Sequence, residues 1–122
     1  MLAERAMVQA EVARAEATLR SARAFLLDAV GEAWHVASAG RDLGVRERAI
    51  MRLAATSATT GAAAAVDRAY DAGGGTSIYA TSRLQRCFRD VHAATQHAMV
   101  APATLELVGR LLLGLETDTA ML

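Results

Sequence analysis

The sequence predicts an all-α domain, a four-helix bundle, and three observations carry that expectation. Ala supplies roughly a quarter of the 122 residues, and Ala is the best helix former. Pro occurs once and aromatic residues make up 4% of the chain, so helix breakers and typical strand formers are scarce. Apolar residues recur at helical spacing through most of the sequence. At this length a single domain is expected, a helical bundle over 1–122.

The first helix is expected over 3–38. Val8, Val12, Ala15, Leu19, Ala22, Leu26, Ala29 and Ala33 alternate steps of four and three, an a/d seam. Met7, Ala24, Phe25, Leu27, Val30 and Trp34 widen the apolar face beyond a two-stranded stripe, as a bundle helix requires. Gly40 reads as a left-handed cap after Ser38-Ala39. The second helix is expected over 45–72. Its run from Thr56 to Ala65 is uncharged and small, which reads as a centrally packed helix and also admits close approach by a ligand.

Gly73-Gly74-Gly75 is the main chain break. Ser82 and Gln85 have capping-box spacing and open a third helix over 82–99, with Leu84, Cys87, Phe88, Val91, Ala94, Thr95 and Ala98 on its apolar face. Pro102 suits the first position of a fourth helix with Leu105, Val108, Leu112 and Leu115 inward, widened by Leu107 and Leu111. Residues 117–122 read as a fraying tail.

Composition narrows the function. Thirteen basic residues balance thirteen acidic ones, which argues against a nucleic-acid or anionic-membrane partner. Every basic residue is Arg, so lysine nucleophiles, Schiff bases and P-loop lysines are excluded. One cysteine forms no internal disulfide, and on an apolar helix face Cys87 reads as a buried, inert thiol. The N-terminus lacks a signal-peptide apolar core, and no uncharged stretch reaches the ~18–20 apolar residues of a membrane span. The expected location is cytoplasmic. The mean hydropathy of +0.21 is high for a small domain and predicts an apolar face turned toward another surface.

Few groups are suited to chemistry. His92 and His97 are five residues apart, about 140° around a helix, whereas a helical metal pair needs a spacing of four. No Ser-His-Asp or Cys-His constellation is identifiable. Three consecutive glycines before a helix allow a backbone to approach a phosphate, although such a run more often marks a turn.

The stretch Gly73-Gly74-Gly75-Thr76-Ser77-Ile78-Tyr79, followed by Leu84-Gln85-Arg86-Cys87-Phe88-Arg89-Asp90-Val91-His92-Ala93-Ala94-Thr95-Gln96-His97, resembles the C-terminal helical domain of the acyl-CoA dehydrogenase superfamily. Val8 to Ala17 is similar to the opening of that domain. The closest likeness is to the flavin-dependent monooxygenase branch. Its members use reduced flavin from a partner reductase on phenols, steroid catabolites or sulfur heterocycles.

The resemblance implies a function and a site. The chain is expected to be the C-terminal third of a larger flavoenzyme and inactive in isolation. The cofactor would be FAD or FMN; the partners would be a flavin reductase, a small-molecule substrate and like chains in a dimer or tetramer. Gly73, Gly74 and Gly75 occupy the place that lies along the flavin's adenosine–pyrophosphate portion, often on a neighbouring subunit. Thr95 and Gln96 become candidate flavin contacts. The dehydrogenases carry a catalytic Glu after this helix, whereas this chain reads His97-Ala98-Met99-Val100. The missing carboxylate disfavours α-proton abstraction from an acyl-CoA, and a His at this place faces flavin and substrate in the monooxygenase branch. An imidazole with an ordinary pKa near ~6.5 exchanges protons at neutral pH, which makes His97 the catalytic candidate. His92, on another face, reads as structural. Two alternatives stay open: a dehydrogenase fragment whose base lies elsewhere, and a stand-alone helical oligomerisation module without catalysis.

Overall fold

The computed structural model describes all 122 residues and contains four α-helices and no strands. Helix α1 spans Ala6–Ser38, α2 Val45–Gly73, α3 Arg83–Thr95 and α4 Ala103–Leu112. Short 3-10 turns occupy Leu2–Glu4, Gly74–Ile78 and Ala98–Val100. With 33 residues, α1 is about 50 Å long. It ends as its sequence predicts. Gly40 adopts φ +71°, its N–H bonds the Ala37 carbonyl, and Arg41 N–H bonds the Val36 carbonyl. Gly114 (φ +70°) ends α4 in the same way, with Leu115 N–H on the Arg110 carbonyl. Both are Schellman closures, which satisfy carbonyls the helix leaves free.

Helix α2 is the element on which the others pack. α1 lies along it, while α3 and α4 dock on it without extensive contact with each other. Small residues permit this. The buried set is mostly alanine: Ala22, Ala29 and Ala33 from α1, and Ala49, Ala54, Ala63 and Ala65 from α2. At the α1–α2 crossing a methyl placed on Gly61 would sit 3.0 Å from the Ala22 Cβ and 3.6 Å from Thr18 Cγ2. That is tighter than ordinary van der Waals contact, so glycine favours the close approach of the two helices.

The seam of α1 is shifted from its predicted line. Ala15, Ala22, Ala29 and Ala33 face α2, but Val12 and Leu19 are 61% and 43% exposed. Glu11 and Thr18 take their places. Arg68 of α2 draws Glu11 inward through a 2.7 Å ion pair, and Arg14 also binds the Glu11 carboxylate. Val12 and Leu19 join Leu27, Val30 and Trp34 among the exposed apolar residues of α1. On α4, Thr104 and Val108 are buried and Leu107 and Leu111 half-buried, while the expected inward residues Leu105 and Leu112 are exposed, as is Leu115 beyond the helix. One docking partner covers only a narrow stripe of so short a helix.

The tail is tied down rather than fraying. Arg52 of α2 donates from Nε to the Met121 carbonyl at 3.1 Å, and its Nη2 reaches the same oxygen. Even so, the chain exposes 8420 Å², against about 6,300 Å² expected for a compact monomer of 12.8 kDa.

Two expectations follow from the α1–α2 contact. Gly61→Leu should lower stability by about 1–3 kcal/mol through overpacking against Ala22, read as a lower urea midpoint by circular dichroism. An unchanged midpoint would show that the crossing is not tightly packed. The second concerns pH. Hydrogen bonds from Arg68, then Arg14, hold the Glu11 carboxyl below its ordinary value of 4.5. The unfolded chain therefore binds more protons between the two values, so the contribution of Glu11 is present above about 4.5 and lost as pH falls through the lowered value. Wild type should exceed Glu11→Gln in stability at neutral pH, and the two denaturation midpoints should converge in acid.

Candidate functional site

The glycine run divides into three different roles. Gly73 is the last residue of α2, and a Cβ on it would fall 2.2 Å from Ser77 Oγ and 2.6 Å from Leu84 Cδ1. Its lack of a side chain lets the turn fold back onto the helix. Gly74 has φ +62° and ψ −150°, a backbone region that is essentially glycine-only. Gly75 has neither constraint: its φ is not positive and nothing lies within 4 Å of its Cβ position. It is the one glycine of the three that the fold itself does not require, and its exposed backbone is free to meet a ligand. Ser77 is fully buried and donates from Oγ to the Tyr70 carbonyl at 2.8 Å, while Thr76 Oγ1 donates to the Gly73 carbonyl at 2.9 Å.

Ser82 precedes α3 in the extended conformation of a cap residue, but its side chain makes no capping hydrogen bond. The capping box is therefore not formed. The inner face of α3 is Leu84, Phe88, Val91, His92 and Thr95, all half-buried. Cys87, expected inside, is exposed on the outer side, as are Ala94 and Ala98. The reason is again that α3 packs on one neighbour.

Three rings and a carboxylate fix α3 to α2. Tyr70 and Phe88 lie 4.6 Å apart between centroids, and Phe88 and His92 4.5 Å. His92 Nε2 is 2.7 Å from Asp67 Oδ1. The structural reading of His92 thus has a named partner. Asp67 carried no sequence signal beyond its charge at the end of an uncharged run.

Helix α3 ends at Thr95, four residues short of the predicted Met99. Thr95 Oγ1 donates back to the His92 carbonyl at 2.7 Å, and the N–H groups of Gln96 and His97 bond the carbonyls of Ala93 and Ala94, each at 3.2 Å. This is 3-10 tightening of a last turn. His97 then extends (φ −68°, ψ 131°) and caps the turn Ala98–Val100, with its Nδ1 accepting from Met99 N–H at 3.2 Å. Its ring is exposed.

The candidate residues therefore form two groups. Thr95, Gln96 and His97 are contiguous at the end of α3. Gly73, Gly74 and Gly75 lie before its start, a helix of 13 residues or about 20 Å away. The Thr95 hydroxyl is already engaged, donating to His92 and accepting from Gln96 Nε2 at 3.2 Å, so of the two, the exposed Gln96 has the freer polar groups. Arg52 is the residue that sequence reasoning overlooked. Its signal was a lone charge in the otherwise uncharged stretch between Arg48 and Asp67.

The glycine assignment makes contrasting substitutions informative. Gly74→Ala should lower stability by about 1–3 kcal/mol, while Gly75→Ala should leave the thermal midpoint almost unchanged. Equal effects would show that the two positions are not distinguished by backbone conformation.

Comparison with known proteins matches these features to a family. A family model described as "Acyl-CoA dehydrogenase, C-terminal domain" covers residues 1–102. The indole-3-acetate monooxygenase of Pseudomonas putida is 39% identical over 113 residues, 93% of this chain and 29% of that protein. The oxygenase component of p-hydroxyphenylacetate 3-hydroxylase from Acinetobacter baumannii is 43% identical over 58 residues, 47% of this chain and 14% of that protein. The crystal structure of 3-HSA hydroxylase from Rhodococcus sp. RHA1 superposes with a TM-score of 0.89 at 26% identity, covering 98% of this chain and 32% of that one. The chain thus spans about a third of the length of such relatives. With its four helices, glycine turn and histidine-bearing helix end, it belongs to the acyl-CoA dehydrogenase C-terminal domain family.

Proposed function

We propose that this chain acts as the C-terminal third of a two-component flavin-dependent monooxygenase, with His97 facing flavin and substrate. The observation that supports it most is the setting of His97. Where the dehydrogenases carry a carboxylate, this chain presents an exposed imidazole, ordered by a backbone N–H on one ring nitrogen. The similarity to named monooxygenases and to an oxygenase component supports the same reading and a reductase partner.

The residues fit a flavin. Gly75 offers an open backbone approach, and Gln96 an exposed amide. A bound flavin would supply the oxygen activation; the chain supplies position and proton control. Because Nδ1 of His97 accepts from Met99, a neutral ring carries its proton on Nε2. His97 is then a donor toward an oxygen on which negative charge develops. One flavin touching both the glycine turn and His97 of the same chain would span the length of α3, which favours FAD. With FMN the glycine turn would have no adenosine–pyrophosphate portion to meet. Like chains are the expected cover for the surplus surface, which includes Val12, Leu19, Leu27, Val30 and Trp34 on α1.

The test uses the full-length polypeptide carrying this domain, supplied with reduced flavin. Oxygen uptake with substrate hydroxylation is expected, without acyl-CoA oxidation. His97→Ala should reduce hydroxylation at least about a hundredfold while flavin remains bound. Acyl-CoA oxidation, or full hydroxylation by His97→Ala, would refute the assignment.

A further inference from the structure

Arg52 is the one charge between Arg48 and Asp67 on α2, and no carboxylate pairs with it among the ion pairs of the structure. Its planar fork serves two carbonyls instead. Nε and Nη2 bond the Met121 carbonyl, while Nη1 donates to the Met99 carbonyl at 2.9 Å and lies 2.8 Å from the Met99 sulfur. Met99 is also the residue whose N–H occupies His97 Nδ1. The turn that holds Met99 is only three residues long, and its own bonds are Val100 N–H to the His97 carbonyl at 3.0 Å and Ala101 N–H to the Ala98 carbonyl at 3.4 Å. So short a 3-10 segment has little stability of its own. An anchor from a long helix is what keeps it in one place.

We infer that Arg52 is the positioning residue for His97: by holding the Met99 carbonyl it keeps Met99 N–H on Nδ1 of the imidazole, so that Nε2 carries the proton and faces outward. The same guanidinium seats the tail at Met121, so tail and histidine are supported by one side chain. The catalytic meaning of this support rests on the reading of His97 given above, but the support itself is independent of flavin. Arg suits the task because it donates from several nitrogens in a fixed plane, whereas Lys is a point donor.

The experiment is nuclear magnetic resonance on the 122-residue chain without flavin, at a pH well above the ordinary imidazole value of about 6.5. A scalar coupling across the hydrogen bond between the Met99 amide nitrogen and His97 Nδ1 is expected in wild type. In Arg52→Gln the coupling should vanish and Met99 amide exchange should rise about tenfold, with helix content retained. Arg52→Lys should restore part of the coupling by placing its ammonium on the Met99 carbonyl, while leaving the tail loose. Absence of the coupling in wild type overturns the inference, even if Arg52→Gln does not fold. Its persistence in a folded Arg52→Gln overturns it as well. Since no turnover is measured, this result and the hydroxylation test of His97 fail independently.

Discussion

Where α1 crosses α2, the backbone of Gly61 lies against the Ala22 methyl and Thr18, and the separation set there governs the rest of the molecule. A long helix packed this closely along a second one leaves room for no large side chain between them. Alanines fill the interface, and the Arg68–Glu11 pair closes it at 2.7 Å. α2 is thereby fixed as a rigid central rod. It then receives α3 through Tyr70 and Asp67, and α4 as well. The hydrophobic contribution of each alanine is small. Stability must come from close contact over long helices rather than from a few large buried groups. The surplus of exposed surface is the other side of this construction.

The same rod places the candidate residues. Both ends of α3 are set by their attachment to α2. Gly73 lets the turn fold back at one end, and Arg52 reaches the turn after the other. Neither candidate group sits in an enclosed cavity formed by this chain. Each lies at an exposed edge, which suits residues that complete a pocket with surfaces from elsewhere.

Much of this was legible in sequence, and the exceptions share a cause. The four helices, the Gly40 cap and the break at Gly73 follow from local chemistry: propensity, backbone freedom and periodicity. The phase of the α1 seam departs from its apolar pattern because a polar residue, Glu11, is carried into the contact by an arginine 57 positions away. Cys87 has the spacing of an inward residue, yet α3 has one neighbour and buries less than its pattern allows. The candidate histidine could be named from resemblance, but not the Arg52 anchor of the turn beside it, which acts across 47 residues and exists only in the folded chain. Local signals survive translation into structure; long-range polar partners do not announce themselves.

The separate docking of α3 and α4 has a consequence for motion. Two helices that share a support but little contact with each other can loosen one at a time, so the molecule should open in parts rather than as a whole. The α1–α2 pair would be the most slowly exchanging unit. The segment from Gln96 to Pro102 bridges the two independent parts, and it is the segment that carries His97. Because Arg52 ties that segment to α2 through the Met99 carbonyl, either helix can loosen while the histidine keeps its place on the rod.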